Sequence, residues 1–414
     1  MTNGKVISKL LDLIGLKVAD FWFKHRAKEL HLSVKPHKNG ARCPECGRRG
    51  KIVRTMAQPR AWRDVVVCGW AVFFHYFPKE IECPTHGRAQ ERIPWADAYA
   101  RVTLRLEFLV LSYSQLMTQK AAHELLHLPR STFSDILHRT ITRVREGHRI
   151  RALKAIGIDE ISYRKGHKYL TVVYDLERAC VVWVGKGKAR ETIDRFFNEE
   201  LSDYQKKRVE WACCDMSETY IGAIKHHCPN AELVLDRFHI SKALNAALDE
   251  VRKEQWREAD GEERKALKGL RWLLFRHASN RSKADSRVLN QLRKSNRRIH
   301  RAGVLKDEFN GFWEFTTRWG AKRFLKRWST TALKSRLEPI RKFVHTIRKH
   351  VDNLLPFIDS GLTNATAEGI NRILRMANNR ASGFRSAEAF IDLIYLTAGD
   401  VDIPAQIPAK FRTL

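Results

Sequence analysis

Apolar and polar positions change their period several times along this chain, and each change marks an element or a boundary. Residues 7–14 carry apolar side chains at helical spacing and predict a leading helix, and the runs 16–23 and 27–34 predict a pair of strands. The stretch 61–77, AWRDVVVCGWAVFFHYF, alternates and is rich in β-branched and aromatic residues, as a hairpin requires. From 102 the period becomes helical. Leu104, Phe108, Leu109 and Leu111 give one apolar face, and after a break at Ser112-Tyr113-Ser114 the residues Ala121, Ala122, Leu125 and Leu126 suit a short helix. Leu128-Pro129-Arg130 breaks it, and Ser131 is placed to N-cap a second helix bearing Phe133, Ile136 and Leu137.

Beyond 150 the pattern is mixed. Apolar runs at 155–161, 169–175 and 180–184, separated by RKGHK and LERA turns, predict a three-stranded antiparallel meander. An amphipathic helix over 190–201, a buried strand at 209–215, a helix over 218–226, a strand at 232–236 and a helix from about 238 follow. The order β-β-β-α-β-α-β-α is that of a ribonuclease H-like fold, in which the first and fourth strands lie side by side. Residues 241–359 offer no convincing strand, only Leu, Trp, Arg and Lys at helical spacing, and read as an all-helical insertion. In 362–386, Asn364 or Thr366 can cap a helix that puts Glu368, Asn371 and Arg372 on one face. A last helix over 387–396 is expected to pack on the sheet, and the Pro-containing tail from Asp400 to be irregular.

One carboxylate stands out against this pattern. In AIGIDEISYR (155–164), Asp159 enters what should be the middle of a buried strand. Desolvating an unpaired charge costs far more than one hydrogen bond returns, so Asp159 needs a partner, and a metal ion is the natural one. Asp215 closes VEWACCD and would converge on Asp159 if the first and fourth strands are neighbours. Glu368 offers a third acid, although a Glu early in a helix is also an ordinary dipole partner. Glu160 alternates to the opposite face, and Asp175 reads as a turn residue. The GKGK at 185–188 lacks the terminal Ser or Thr of a phosphate-binding loop and reads as a strand-to-helix turn.

Two knuckles, Cys43-Pro-Glu-Cys46-Gly and Cys83-Pro-Thr-His86-Gly, can each supply two zinc ligands from one tight turn. With the hairpin between them they predict a zinc ribbon; the alternative is two turns with core cysteines. Four protein ligands leave no open position, so the site should be structural. Cys68 and His75 have no partner at ligand spacing and are expected to be packed. The spacing over 117–141 is that of a helix-turn-helix presenting Ser131, Thr132, Ser134, Asp135 and Arg139, although such helix hairpins also occur as plain packing units.

Charge sharpens the choice. The 76 Lys+Arg against 46 Asp+Glu leave a net charge of +30, which points to a polyanionic partner, with nucleic acid leading. The chain of 414 residues with 43% hydrophobic content can build several ordinary cores, and 8 Cys at this length do not make a disulfide scaffold. No apolar run is long enough to span a bilayer and the start lacks a secretory signal, so no membrane partner is expected and the placement is cytoplasmic, at the nucleoid. Trp272, Phe275, Trp313, Trp319 and Trp328 in the helical stretch are either core or stacking surfaces for an unpaired base, with Trp272 taken as the DNA contact.

With these pieces together, the chain resembles the ISL-three family of bacterial insertion-sequence transposases of the DDE type. The likeness runs through CPxCG, ERIPW (91–95), the helix-turn-helix, IGIDE (156–160), CDMS (214–217), VLDRFH (234–239), NATAEGINRILR (364–375) and GFRS (383–386). It implies that Asp159, Asp215 and Glu368 are a catalytic triad binding Mg²⁺ or Mn²⁺. Asp236 and His239 match a DxxH signature with a supporting role, and Asn371 is placed with them. The chain departs from the family pattern at His86, where a cysteine is usual, and at Arg375, where a lysine is frequent.

The expected organisation is α+β multidomain. It comprises a zinc-ribbon DNA-binding domain at 1–98, a helix-turn-helix at 99–150, a ribonuclease H-like α/β core at 151–240, an all-helical insertion at 241–360 and the rest of the core, with the third acid, at 361–414. The expected reaction is Mg²⁺-dependent cleavage at terminal inverted repeats followed by strand transfer into target DNA, with two metal ions about 4 Å apart. Bringing two ends together implies at least a homodimer. Two other classes remain: a non-catalytic DNA-binding regulator derived from a transposase, and a structure-specific nuclease that hydrolyses without joining.

Overall fold

The computed structural model describes residues 3–13, 16–36, 40–164, 166, 168–381, 383–384 and 386–400. The tail beyond Asp400, Ile14 of the leading helix and Arg385 of the GFRS motif lie outside the described residues. The chain divides into two compact units, one made of Met1–Arg149 with Met376–Leu414 and the other of Ile150–Arg375.

The first unit opens with α1 (Asn3–Leu10) and seven strands: β1 (Leu16–Lys24), β2 (Glu29–Pro36), β3 (Lys51–Thr55), β4 (Arg60–Val67), β5 (Trp70–Tyr76), β6 (Lys79–Cys83) and β7 (Gly87–Gln90). They form two sheets, β1-β2-β5-β4 and β3-β6-β7. The expected strand pair is thus present as β1 and β2, antiparallel from Leu16↔Pro36 to Lys24↔Glu29. The hairpin read over 61–77 is also present, as β4 and β5, but it belongs to the first sheet rather than to the knuckles. Its inward side chains Trp62, Val72, Phe74 and Tyr76 need a core, which Leu32, Val34 and Trp95 supply. The three short strands beside the knuckles offer little cover, every residue of β3 being exposed.

Cys68 is exposed, not packed as expected. It sits with Gly69 at the hairpin tip, both at positive φ (49° and 78°), the conformation that lets a two-residue turn follow the strand twist. His75 is structural, its ring nitrogen 2.8 Å from that of buried His31.

Three helices follow: α2 (Leu104–Leu116), α3 (Gln119–Leu125) and α4 (Arg130–Glu146). The short helix, break and longer helix foreseen over 117–141 are therefore there. Two details differ. Pro129, not Ser131, holds the N-cap position of α4, where its fixed φ of −56° starts the helix without a side-chain cap. The buried face of α2 is Leu106, Glu107, Val110, Leu111 and Ser114, shared with the expected face only at Leu111. The period is displaced because α2 carries a charge inward: Glu107, 2% exposed, pairs with Arg139 and Arg143 of α4.

The second unit begins with β8 (Ala155–Arg164), β9 (Lys168–Asp175) and β10 (Cys180–Lys186), then α5 (Arg190–Arg195), which runs into a π turn at Phe196–Glu200. After α6 (Asp203–Lys207) come β11 (Trp211–Cys214), α7 (Glu218–His227), β12 (Glu232–Leu235) and α8 (Arg237–Glu258). The five strands lie in the order β10-β9-β8-β11-β12, so the first strand does neighbour the fourth. β9 is antiparallel to β8 and β10, whereas β11 is parallel to β8 and to β12. The small helix α6 was not foreseen; it rests on a local capping box between Ser202 and Gln205.

Helices then continue without a strand among the described residues: α9 (Gly261–Leu267), α10 (Leu270–Phe275), α11 (Lys283–Ser295), α12 (Arg297–Asn310), α13 (Arg318–Lys334), α14 (Glu338–Lys349), α15 (Val351–Leu354) and α16 (Pro356–Ser360). One hydrophobic cluster runs from Ile156, Ile158 and Val234 in the sheet through Leu244 and Leu248 to Phe309, Trp328 and Phe343. The aromatics of this stretch divide accordingly. Trp313 and Trp328 are core and Phe275 packs against it, while Trp272 is 69% and Trp319 71% exposed. No helix among the described residues is long and apolar enough to cross a membrane.

Last come α17 (Ala365–Arg380), which runs from the second unit into the first, and α18 (Ala387–Ala398). α18 packs on α4 and α2, not on the sheet as expected. It buries Phe390, Leu393, Ile394 and Leu396 there, and its buried Asp392 meets His138 of α4 at 3.0 Å. A helix apolar all round needs cover on every side, and the α2–α4 pair provides it.

Arg139→Ala should leave Glu107 with Arg143 alone and lower the unfolding free energy by about 1–3 kcal/mol, read from urea denaturation. An unchanged midpoint would show that the pair contributes nothing to the packing of α2 on α4.

Candidate active site and metal centre

β8 is apolar and buried from Ala155 to Ile158, and Asp159 and Glu160 come where that burial ends. β11 and β12 end just as abruptly, each handing the chain to an acid: Asp215 after Cys214, and Asp236 after Leu235. The parallel register pairs Cys213 with Gly157 and Cys214 with Leu235. Carried two residues on, it sets Asp215 beside Asp159; carried one residue on, it sets Asp215 beside Asp236. Three carboxylates therefore share one row across three neighbouring strands, at the carboxyl ends of β11 and β12, where open α/β sheets bind their ligands.

Each acid is held differently. Asp159 accepts the Glu160 backbone N–H at 2.7 Å and the Asn371 side-chain amide at 2.7 Å. Asn371 is itself buried and its carbonyl oxygen accepts the hydroxyl of Tyr174 at 2.6 Å. Asp215 accepts the backbone N–H of Ser217 at 2.9 Å. Asp236 caps α8 by accepting from Phe238 N at 3.2 Å, and its other oxygen lies 2.8 Å from His239 Nδ1. The DxxH spacing thus places the ring one helical turn from the acid it pairs with.

Electrostatics tie the group together. Burial pushes the Asp159 carboxyl up, aided by the charges of Asp215 and Asp236 and opposed by the Glu160 N–H and the His239 ring. His239 is raised by its bond to Asp236, against burial, and by the charges of Asp236, Asp159 and Asp215. Tyr174 is held well above its ordinary value by burial and by the nearby charge of Asp159, so it donates as a neutral hydroxyl.

The other residues singled out in sequence separate. Glu160 faces away, accepting from the Tyr220 hydroxyl at 2.9 Å with Lys188 at 3.8 Å. Asp175 is a turn residue, accepting the backbone N–H groups of Glu177 and Arg178. Glu368 lies in the first turn of α17 and is exposed. Asn371, one turn later, fastens that helix to β8. Close approach of the helix start also depends on Gly157, where a Cβ would come within 2.8 Å of Asn364 Oδ1 and of Leu176 Cδ2. On α4, Ser131 and Asp135 are exposed and Thr132 and Ser134 half-buried, while Arg139 is committed to Glu107. Tyr174 went unread in sequence. Its signal was a polar-tipped ring within the buried part of the strand, opposite Gly157 and two residues from Asp159's own partner Val172.

Among the described residues, the one group of three or more His, Cys, Asp or Glu whose ligand atoms all lie within 4.8 Å of one another is Cys43, Cys46, Cys83 and His86. The carboxylates of Asp159, Asp215 and Glu368 are not drawn together to that degree. Cys46 Sγ and Cys83 Sγ are 3.6 Å apart, and His86 Nδ1 lies 3.7 Å from Cys43 Sγ and 3.8 Å from Cys83 Sγ. A tetrahedron with Zn–S bonds of about 2.3 Å has edges of about 3.8 Å, so this donor set fits zinc in both kind and size. Backbone N–H groups of Thr85 and His86, then the His86 ring, bring the Cys83 thiol down to about 6, toward the thiolate that metal binding needs. The acid row offers oxygen donors only, which suits a hard cation such as Mg²⁺.

A family model described as transposase, of the DDE type and the ISL3 group, matches residues 156–394. The transposase of insertion sequence element IS1001 from Bordetella parapertussis is 28% identical over 378 residues, 89% of this chain and 91% of that protein. The transposase of insertion sequence element IS1557 from Mycobacterium tuberculosis is 28% identical over 380 residues, 86% of this chain and 85% of that protein. A solved chain of the Drosophila P element transposase strand transfer complex aligns at 10% identity over 72% of this chain and 92% of its own, with a TM-score of 0.34, a likeness too slight to bear on the fold.

Two outcomes follow from the geometry. Asn371→Ala should strand the buried Tyr174 hydroxyl and remove a donor from Asp159, lowering stability by about 1–3 kcal/mol in thermal or urea unfolding. Cys83→Ser should reduce bound zinc from one equivalent, measured by elemental analysis, and lower the melting temperature of the first unit; full zinc retention would refute the four-ligand assignment.

Proposed function

The chain belongs to the ISL3 family of DDE transposases, and on that premise we propose that it binds the terminal inverted repeats of an insertion sequence and catalyses Mg²⁺-dependent DNA cleavage and strand transfer. The observation that carries this reading is the row of carboxylates on three adjacent strands, begun by Asp159 in a buried strand where a lone acid would be costly. Asp159 and Asp215, with Glu368 from the turn of α17 preceding Asn371, are the proposed catalytic acids, on a ribonuclease H-like core interrupted by the helical stretch.

Mg²⁺ or Mn²⁺ bound by these oxygens would supply Lewis-acid stabilisation of the attacking and leaving oxygens at phosphorus. The chain's own part is positioning. Asn371 fixes the rotation of the Asp159 carboxylate and, through the same amide, the distance of α17 from β8. Asp236 and His239 brace the far end of the row, the ring sharing the negative charge that three acids concentrate there. In the proposed sequence, water displaces the 3′ oxygen at the transposon end in line, releasing a 3′-hydroxyl. That hydroxyl then attacks a phosphodiester of target DNA and releases a second 3′-hydroxyl.

Recognition of the ends is assigned to the first unit, with zinc on Cys43, Cys46, Cys83 and His86 and the α3–α4 hairpin presenting Ser131, Thr132 and Ser134. Arg139 belongs to the same surface, exposed while it pairs with Glu107, and exposed Trp272 is a candidate stacking ring in the second unit. Two ends must meet, so the working form is at least a dimer, acting at the nucleoid.

Asp215→Asn should cut Mg²⁺-dependent cleavage of an inverted-repeat duplex by at least about 100-fold while binding survives. Retained cleavage would overturn the acid assignment. Cleavage without joining in the wild-type protein would mark a hydrolytic nuclease, and binding without either step a regulator.

A further inference from the structure

Between Glu314 and Glu338 the sequence carries Arg318, Lys322, Arg323, Lys326, Arg327, Lys334 and Arg336, with no Asp or Glu. Most of this segment is α13, which turns Ala321, Leu325, Trp328, Ser329 and Ala332 inward. The opposite face presents Lys322, Arg323, Lys326 and Arg327, all exposed. Arg318 is already paired, with Glu232 and Asp359, and the acid that follows the helix, Glu338, is taken by Arg341. None of the four exposed cations makes an ion pair among the described residues.

Such an arrangement works against the helix. Lys322 with Lys326 and Arg323 with Arg327 are like charges one turn apart, which weaken a helix rather than support it. The buried face alone accounts for the fold of α13, so the charge on its outer face asks for another explanation. We propose that the outer face of α13 is a docking surface for the sugar–phosphate backbone of duplex DNA.

Spacing favours that occupant. Lys322 to Lys326, and Arg323 to Arg327, are each about 6 Å apart along the helix axis, at about 1.5 Å per residue. That is roughly two nucleotide steps of one strand at about 3.4 Å of axial rise. Thr330 and Thr331 continue the exposed face, their hydroxyls donating to the carbonyls of Lys326 and Arg327, so the cations alone are offered to phosphate. The guanidinium carbon of Arg323 lies 5.4 Å from the ring centroid of Trp319, one turn earlier on the same face. A lipid surface would want apolar side chains interleaved with the charges, and only Trp319, at one end, meets that description.

The proposal rests on the DNA-binding reading above but concerns backbone contact, so it is tested on duplex of random sequence as well as on inverted repeats. The variant is the full chain with Lys322→Ala, Arg323→Ala, Lys326→Ala and Arg327→Ala. The control carries Lys154→Ala, Arg195→Ala, Lys207→Ala and Lys225→Ala, four exposed cations elsewhere in the second unit. Binding is followed against salt for both duplexes, with circular dichroism melting to confirm that each protein is folded.

Each phosphate contact contributes about 0.9 to the slope of log affinity against log salt, so the α13 variant should lose about 3 to 4 from that slope on both duplexes. At about 0.1 M salt its affinity should fall by at least about 100-fold, with the control near wild type. An unchanged slope in a folded α13 variant overturns the proposal, as does an equal loss in the control, which would reduce the effect to net charge. Tighter binding of wild type to anionic vesicles than to duplex, lost in the α13 variant, also overturns it. A wild-type protein that does not prefer inverted repeats to random duplex contradicts the proposed function and leaves the α13 slope as an independent result.

Discussion

Carboxylates carried out of water on neighbouring strands repel one another, and much of the second unit is arranged around keeping them there. Asp159 is raised by burial and by its two acidic neighbours, and it is held by one backbone N–H and one amide. That amide comes from a helix more than 200 residues away along the chain, and the hydroxyl of Tyr174 fixes which of its two ends faces the acid. The restraint on Asp159 is therefore also the restraint on the helix that bears Glu368. Gly157 belongs to the same arrangement, since any side chain there would meet Asn364 at the start of the helix. A cation would relieve the repulsion in the row; the chain alone relieves it only in part, through His239.

Much of this was legible in sequence because it is local. The apolar run before Asp159, the knuckles at 43–46 and 83–86, and the short helix, proline break and longer helix over 117–141 are all written in consecutive residues. The neighbour relation of β8 and β11 followed from the order of elements, and with it the register that, carried on, sets Asp215 on the strand beside Asp159. What escaped depends on partners distant in sequence. The 61–77 hairpin looked like part of the ribbon because it lies between the knuckles, yet its inward aromatic face required the core formed with β1 and β2. The pairing of Arg139 escaped because nothing near it in sequence shows that Glu107 is buried opposite. Tyr174 looked like one more strand aromatic, because its value lies in the buried amide it fixes.

The helical stretch shows a related limit. Its Trp and Phe residues have the same spacing whether they are core or surface, and only packing separates Trp313 and Trp328 from Trp272 and Trp319. Charge is more readable. A surplus of 30 positive charges cannot all be neutralised internally, and the segment without acids shows where part of that surplus is left facing water.

The path of the chain has its own consequence. The first unit is made from both ends of the sequence: its α2 and α4 receive α18, and the whole of Ile150–Arg375 is spliced between them. During synthesis, α4 must therefore wait for more than two hundred residues of the other unit to emerge before its apolar face is covered. A chain released early would carry the knuckles and the helix hairpin but expose the surface that α18 should seal, and exposed surface of that kind invites aggregation or degradation. Synthesis of α18 thus becomes a condition for a finished first unit, and products that stop short of it are handicapped by topology alone.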